Sequence, residues 1–517
     1  MEHESTKLVS HKIKTVEELR RIIGPPPRAK KVIMCHGTFD VVHPGHVRHM
    51  LYAKSKADIL VASITGDMHI AKANLRPYVP EDLRAVNLAA FEMVDYVVVD
   101  RNPTPLENLA KIQPDYFAKG YEYVAGGTIN PKTQAEIDVL ESYGGEFIYT
   151  PGDIVYSSSA LIEKAPPSIA TDKLHMLMEG EKLTFDDLRA ALGKFKRLRM
   201  HVVGDTIVDT FTYGSVIGGM TKTPTMSVRF EHKTDYVGGA GVVAKHLRAA
   251  GAEVTYSTVL GEDAYKDFVL KDLREAGITV LPIVDPTRPT TNKNAIIAGG
   301  YRLLKVDTLD NRSISEKIVN QLKNAIGKIK VDGVVLSDFR HGMFNRTTIP
   351  QIVAAIPGNV YRVADSQVAS RWGNILEFNG FDLITPNERE ARFSLGDQDS
   401  VVRPLALELF RRSECRTLIL KLGERGVITY RSSAPDDHRA FFTVDSFADH
   451  VLDAVGAGDS LLAYATLAMI ATKNEVIATI LGSFAAGIEC ERDGNIPITP
   501  QDVLKKIDAV EKRARYE

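Results

Sequence analysis

Cysteine is scarce in this 517-residue chain: Cys35, Cys415 and Cys490 lie far apart and never in CxxC spacing. That excludes a disulfide framework and a structural zinc site, and predicts a reducing, cytoplasmic setting. Net charge is equally slight. Sixty-four basic residues against 66 acidic ones leave −2, so no global field draws the chain onto nucleic acid or an anionic membrane. Small molecules are the expected partners. Long apolar runs are missing as well: "SLLAYATLAMIAT" is cut by "KNE" before "VIATILGSFAAGI", and each piece reads as a buried helix too short to span a bilayer. The opening "MEHESTKLVSHKIKTVEELRRII" mixes charges and has no apolar core, so export is not expected. No internal repeat is visible, which excludes a solenoid.

What remains is ordinary globular composition, 44% hydrophobic and 25% charged, in a chain long enough for about two to four domains. From Lys31 to Ile162, β-branched runs ("KVIMC", "DILVASI", "DYVVVD", "DYFAKG", "EFIYT") alternate with helical segments such as "PEDLRAVNLAAFEMV". This alternation predicts a parallel sheet with helical crossovers. The paired prolines of "EKAPPSIATDKLHMLMEGEKL" suggest a linker over 163–183, dividing a first domain, 1–162, from a second, 184–517. The second begins with the helical "TFDDLRAALGKFKRL" and continues through strands "RMHVVGD", "VDGVVLSD", "VYRVAD", "DLITP" and "RTLILKLG". The halves share no motif, so this is a fusion with room for two different sites.

The stretch "CHGTFDVVHPGHVRHM" runs from a strand through a glycine turn into a helix beginning near His43, with Pro44 suited to the first turn. Free N–H groups and the positive dipole end at such a start attract phosphate, and imidazoles there supply further donors. Alone, two histidines around Pro-Gly read as helix caps. Here the surroundings resemble the HxGH nucleotidyltransferase family, with His43, Pro44, Gly45 and His46 as the signature and Gly37, Thr38, Phe39 and Asp40 before it. "AKANLRPYVPEDLRAVNLAAFEMVDYVVV", "PDYFAKGYEY" and "YSSSALIEK" resemble that family's later segments in the same order. The resemblance implies that Lys72, Arg76, Arg84 and Ser157, Ser158 and Ser159 lie at the nucleotide phosphates, with His43, His46 and Lys72 catalytic. The pattern is most similar to cytidylyltransferases acting on sugar phosphates, which implies attack of a substrate phosphate on the α-phosphorus of CTP, or of ATP, with Mg²⁺ and release of pyrophosphate. Class I aminoacyl-tRNA synthetases also use an HxGH-type signature, but no KMSKS-like stretch accompanies it here.

Near the other end, "VLDAVGAGDSLLAYATLAM" sets Gly456, Ala457 and Gly458 before Asp459 at the start of an apolar helix. Small residues and free N–H donors could cradle a transferring phosphoryl group, with Asp459 placed to take a hydroxyl proton. By itself such a turn more often serves packing. Together with "VVGDTIVDTF", "VGGAGVVAKHLRAAGAEV", "LSDFRHG", "LITPNEREAR" and "LILKLGERGVITY", it resembles the ribokinase-like (PfkB) sugar kinases over about Arg199 to Thr499. That resemblance implies an α/β domain with a small lid sheet around "TPTMSVRFEHKTDYV". It makes Asp459 the base and Gly456 to Gly458 the anion hole, with Asp205, Asp209, Gly238, Gly239 and Asp338 at the sugar. Asn387 and Glu390 would organise phosphate and, indirectly, Mg²⁺, while Lys421 and Gly423 flank the nucleotide.

Taken together, the halves resemble the bifunctional heptose kinase and nucleotidyltransferase of bacterial surface polysaccharide synthesis, with the domains in reverse order. The lead-in "KLVSHKIKTVEELRRI" resembles the transferase half of those enzymes too. Substrates would be a sugar phosphate, ATP and CTP, in a homodimer or higher homo-oligomer. The pattern breaks at the sugar end: Val242 stands where GGAAN has its amide, and His341 and Gln367 stand where lysines are expected, with Arg340 or Lys293 as possible replacements. The sugar is therefore open. Three functions stay in play: a bifunctional enzyme, an active transferase with a non-catalytic kinase-like module, and a nucleotide or sugar sensor.

Overall fold

A computed structural model describes residues 8–70, 77–120, 131–150, 170–217, 226–367, 375–434, 437, 439–492 and 494–516. They divide into two compact units, Met1–Gly180 and Glu181–Glu517. Within the stretch expected as linker, Ala170–Gly180 forms a helix and belongs to the first unit. Among the described residues, no helix is long and apolar enough to cross a membrane.

In the first unit, β1 (Val32–Gly37), β2 (Ile59–Thr65), β3 (Tyr96–Asp100), β4 (Tyr116–Gly120) and β5 (Glu146–Thr150) form a parallel sheet in the order β3-β2-β1-β4-β5. Alternation along β1 sends Ile33 and Cys35 into one core and Val32 and Met34 into the other, so helices cover both faces. The chain order reverses between β2 and β4 around β1, and in open α/β sheets ligands bind at the carboxyl ends of the strands beside such a reversal. Residues Gly37 to Asp40 leave β1 at that point.

In the second unit, β6 (Arg199–Gly204), β9 (Glu253–Leu260), β10 (Thr279–Val284), β13 (Gly333–Asp338), β14 (Tyr361–Ser366), β15 (Leu383–Ile384) and β16 (Thr417–Lys421) run parallel. Strands β17 (Val427–Tyr430) and β18 (Phe441–Val444) close the sheet antiparallel, giving the order β10-β9-β6-β13-β14-β15-β16-β17-β18. The two apolar stretches read as buried helices are Ala457–Thr472 and Glu475–Cys490, and both lie in the interior. A separate sheet, β12-β11-β7-β8, is built from β7 (Thr206–Val216), β8 (Val228–Gly239), β11 (Asn292–Ala298) and β12 (Tyr301–Thr308). Large apolar side chains, among them Phe230, Tyr236, Leu304 and Val306, stand exposed on it.

Candidate functional site

The first site begins where β1 ends. Phe39 takes a left-handed turn (φ 48°) and sets its ring edge against His46, with centroids 5.2 Å apart. His43 caps the helix Pro44–Lys54, and both histidines join the cap: Gly45 N–H donates to His43 Nδ1 (3.2 Å) and His43 N–H donates to His46 Nδ1 (3.4 Å). An imidazole nitrogen that accepts carries no proton, so each neutral ring keeps its hydrogen on Nε2. The rings stack at 3.9 Å. A methyl group on Gly45 would meet His43 Cε1 at 2.9 Å, so the glycine of HxGH is what lets the first ring fold over the helix start. The cap uses Nδ1 of both rings.

Two residues of this half do different work from that expected. Asp40 is buried, its oxygens accepting from Tyr78 N–H (2.9 Å) and Val79 N–H (2.7 Å). Arg84, expected at the phosphates, has no exposed surface. It donates to the carbonyls of Val79 (2.9 Å), Thr38 (2.5 Å) and Thr65 (2.9 Å) and to Asp67 Oδ1 (2.5 Å). Its guanidinium therefore ties the turn after β1 to the chain before its own helix, the geometry of a brace. Sequence reasoning missed this because three of the four partners are backbone carbonyls. It also missed Lys119, which pairs with Glu136 at the end of β4. Lys72, Arg76 and Ser157, Ser158 and Ser159 lie outside the described residues.

The second site gathers around the helix start at Ala457. Gly456 is left-handed (φ 87°), and a side chain there would run to 2.4 Å from Asn495 Oδ1 and 3.0 Å from Glu489 Oε1. Asp459 sits in the first turn of the helix, its carboxyl pushed up to about 7 by burial and then by Asp365. Burial and neighbouring charge lift Glu390 to about 7 as well, while Asn387 and Glu390 cap their helix reciprocally: Asn387 N–H to Glu390 Oε2 (2.7 Å) and Glu390 N–H to Asn387 Oδ1 (2.8 Å). Lys421, at the end of β16, points into this cluster and donates to Asp365 Oδ1 at 3.1 Å. Burial pulls its pKa down, but Asp365, Glu390 and Asp459 together carry it above the usual ammonium value. Gly423 forms the next turn with φ 64°. Arg425 from that turn pairs with Glu388, joining it to the Asn387 helix.

At the sugar end the expected residues separate. Asp209, on β7, lies over Gly238, where a Cβ would fall 2.0 Å from Asp209 Oδ2, and Lys293 stands beside it across the β7–β11 ladder. Gly239 (φ 62°) opens the helix Ala240–Ala249. Asp205 and Asp338, however, are buried at 5% and 1% exposure and are spent internally. Asp205 Oδ2 accepts from the N–H groups of Phe339 (3.0 Å) and His341 (3.3 Å); Asp338 accepts from Arg340 N–H (2.8 Å) and Ser366 Oγ (2.9 Å). Their bonds hold the turn after β13. Arg340 is likewise consumed, bonded to Asp338 and Ser366, so it does not replace the missing lysines. Val242 is buried, and His341 Nδ1 pairs with Asn311 Oδ1 at 2.9 Å.

Comparison with known proteins follows this division. The pfkB family carbohydrate kinase family matches residues 199–502, and the Cytidylyltransferase-like family matches 34–164. Bifunctional protein HldE of Sulfurimonas denitrificans is 28% identical over 312 residues, spanning 59% of this chain and 63% of that protein. Bifunctional protein HldE of Bradyrhizobium sp. is 27% identical over 331 residues, spanning 62% and 65%. The chain thus spans less than two thirds of the length of these curated relatives. Among solved structures, phosphofructokinase-2 from Escherichia coli in complex with potassium superposes with a TM-score of 0.50 at 17% identity, over 61% of this chain and 99% of that one, a likeness of fold.

Proposed function

The chain belongs to the pfkB family of carbohydrate kinases and carries a cytidylyltransferase-like domain before it; from that premise we propose a bifunctional transferase that phosphorylates a sugar or sugar phosphate and joins a nucleotide to a sugar 1-phosphate. The reading rests most on Asp459: a carboxyl held near neutral pKa, in the first turn of a helix entered through a left-handed glycine, is suited to accept a hydroxyl proton beside a bound phosphoryl group.

In the kinase half the sugar oxygen attacks the γ-phosphorus of ATP, the bond to the ADP oxygen breaks, and the hydroxyl proton passes to Asp459. The N–H groups of Gly456 to Gly458 hold the phosphoryl oxygens. Asp209, Gly238 and Gly239 meet the sugar, and Gly423 borders the nucleotide. Among the described residues no three ligating side chains form a metal cage, and the oxygen donors of Glu390 and Asn387 suit a hard cation held largely through water and phosphate. Mg²⁺ bound there would neutralise charge on the phosphates.

In the transferase half a phosphate oxygen of the sugar 1-phosphate attacks the α-phosphorus of CTP, or of ATP, and pyrophosphate leaves. His43 and His46 donate to the charge that builds there, with Gly37, Thr38 and Phe39 lining the nucleotide and Lys72, Arg76 and Ser157, Ser158 and Ser159 completing the phosphate contacts. The exposed apolar residues of the β12-β11-β7-β8 sheet support a homodimer formed through that face. A second reading, in which the kinase half only binds, is favoured by Val242 and His341. Assaying ADP formation and pyrophosphate release from the full chain across free sugars, sugar phosphates and the nucleotides CTP and ATP separates them. Release of both products supports the bifunctional reading, and pyrophosphate alone supports the second.

A further inference from the structure

Lys421 does more than border a nucleotide. Its ammonium carries three N–H donors, yet among the described residues its one hydrogen bond and one ion pair both go to Asp365, leaving two donors without a protein acceptor. The side chain is only 15% exposed, so the group is largely enclosed and its donors are not saturated by the protein. An enclosed ammonium in that condition is costly unless a ligand takes the remaining hydrogens.

The surroundings show where that ligand would lie. A Cβ on Gly458 would fall 3.2 Å from Lys421 Nζ, which places the ammonium directly beside the turn that starts the helix Ala457–Thr472. Asp365 holds it there, and Thr385 Oγ1 donates to the same Asp365 oxygen at 2.9 Å. Asp459 and Glu390 face it without closing an ion pair. Backbone N–H donors, the positive end of a helix and a cation with unused hydrogens thus converge on one small space, a combination that suits a phosphoryl dianion.

Resting on the kinase reading above, we propose that Lys421 is a catalytic residue whose two unused N–H groups bind a non-bridging oxygen of the γ-phosphoryl group and offset the charge that grows on it during transfer. No proton leaves Lys421: the new bond joins the sugar oxygen to phosphorus, the bond to ADP breaks, and the hydroxyl proton goes to Asp459. Asp365 and Thr385 are positioning residues that aim the ammonium.

Titration calorimetry on the full chain with Mg²⁺-ADP and with Mg²⁺-β,γ-imido-ATP tests this, because a structural counter-ion would not discriminate between the two. Lys421→Met is expected to weaken the imido analogue about tenfold while ADP affinity changes less than about threefold, as loss of a charge-assisted bond to the third phosphate requires. On any sugar that is turned over, kcat falls about 100-fold with the sugar KM little changed. Should the single variant fail to fold, Lys421→Met with Asp365→Asn removes both ends of the pair and is expected to show the same selective loss. Equal weakening of both nucleotides, or of neither, overturns the proposal while leaving the kinase reading intact. Failure of the unaltered chain to bind either nucleotide overturns both.

Discussion

Replacing Arg84 with methionine separates the brace seen here from the phosphate ligand that the sequence suggests. The guanidinium is fully buried and donates to three carbonyls and to Asp67, so its removal strands the carbonyls of Val79, Thr38 and Thr65, while Asp67, 24% exposed, recovers water. The bond to Val79 is buried and those to Thr38 and Thr65 partly so; at about 1–3 kcal/mol for a stranded acceptor, with neighbouring losses not additive, the total is about 3–5 kcal/mol. For a unit of this size that lowers the melting transition by about 6–20 °C. Scanning calorimetry of the full chain reads the shift directly, and Arg84→Lys should recover only part of it, since one ammonium cannot reach all four acceptors. Pyrophosphate release would weaken in proportion to disorder of the turn after β1. If Arg84→Met melted within about 2 °C of the unaltered chain but raised the nucleotide KM, the arginine would be a phosphate ligand and the brace argument wrong.

Two further outcomes follow from the second site. With Asp459 held near pKa 7, kinase kcat/KM should fall as pH drops through about 7, because the protonated carboxyl accepts nothing, and should level off above it; a flat profile from about pH 5.5 to 8 contradicts this. Gly456→Ala forces a methyl group into a left-handed residue and against Asn495 and Glu489, so about 1–3 kcal/mol of stability and about tenfold or more of ADP formation should be lost, measured by calorimetry and coupled assay, while pyrophosphate release is unchanged.

Much of this was legible locally. β-branched runs between helical patterns marked every strand of the first sheet, and glycine turns before apolar helices marked both helix starts, because backbone propensity and small-residue geometry are written in adjacent residues. The HxGH histidines were legible as caps, and the structure shows one nitrogen of each ring committed to the cap. What escaped was tertiary. Asp365 meets Thr385 20 residues away and Lys421 56 residues away, contacts made only when separate strand ends meet at one edge. Lys421 consequently looked like a border residue of the nucleotide. Asp205 and Asp338 were placed at the sugar by family resemblance and Arg340 as a stand-in for the missing lysines, yet their partners include turn amides and one another, which no spacing encodes.

The most direct test of two separate phosphate-handling sites in one chain is the Asp459→Asn variant, assayed in one preparation for both products. The account predicts that ADP formation falls by about 10²–10⁴-fold while pyrophosphate release stays within about twofold of the unaltered chain. Undiminished ADP formation, or loss of both products from a folded protein, would contradict it.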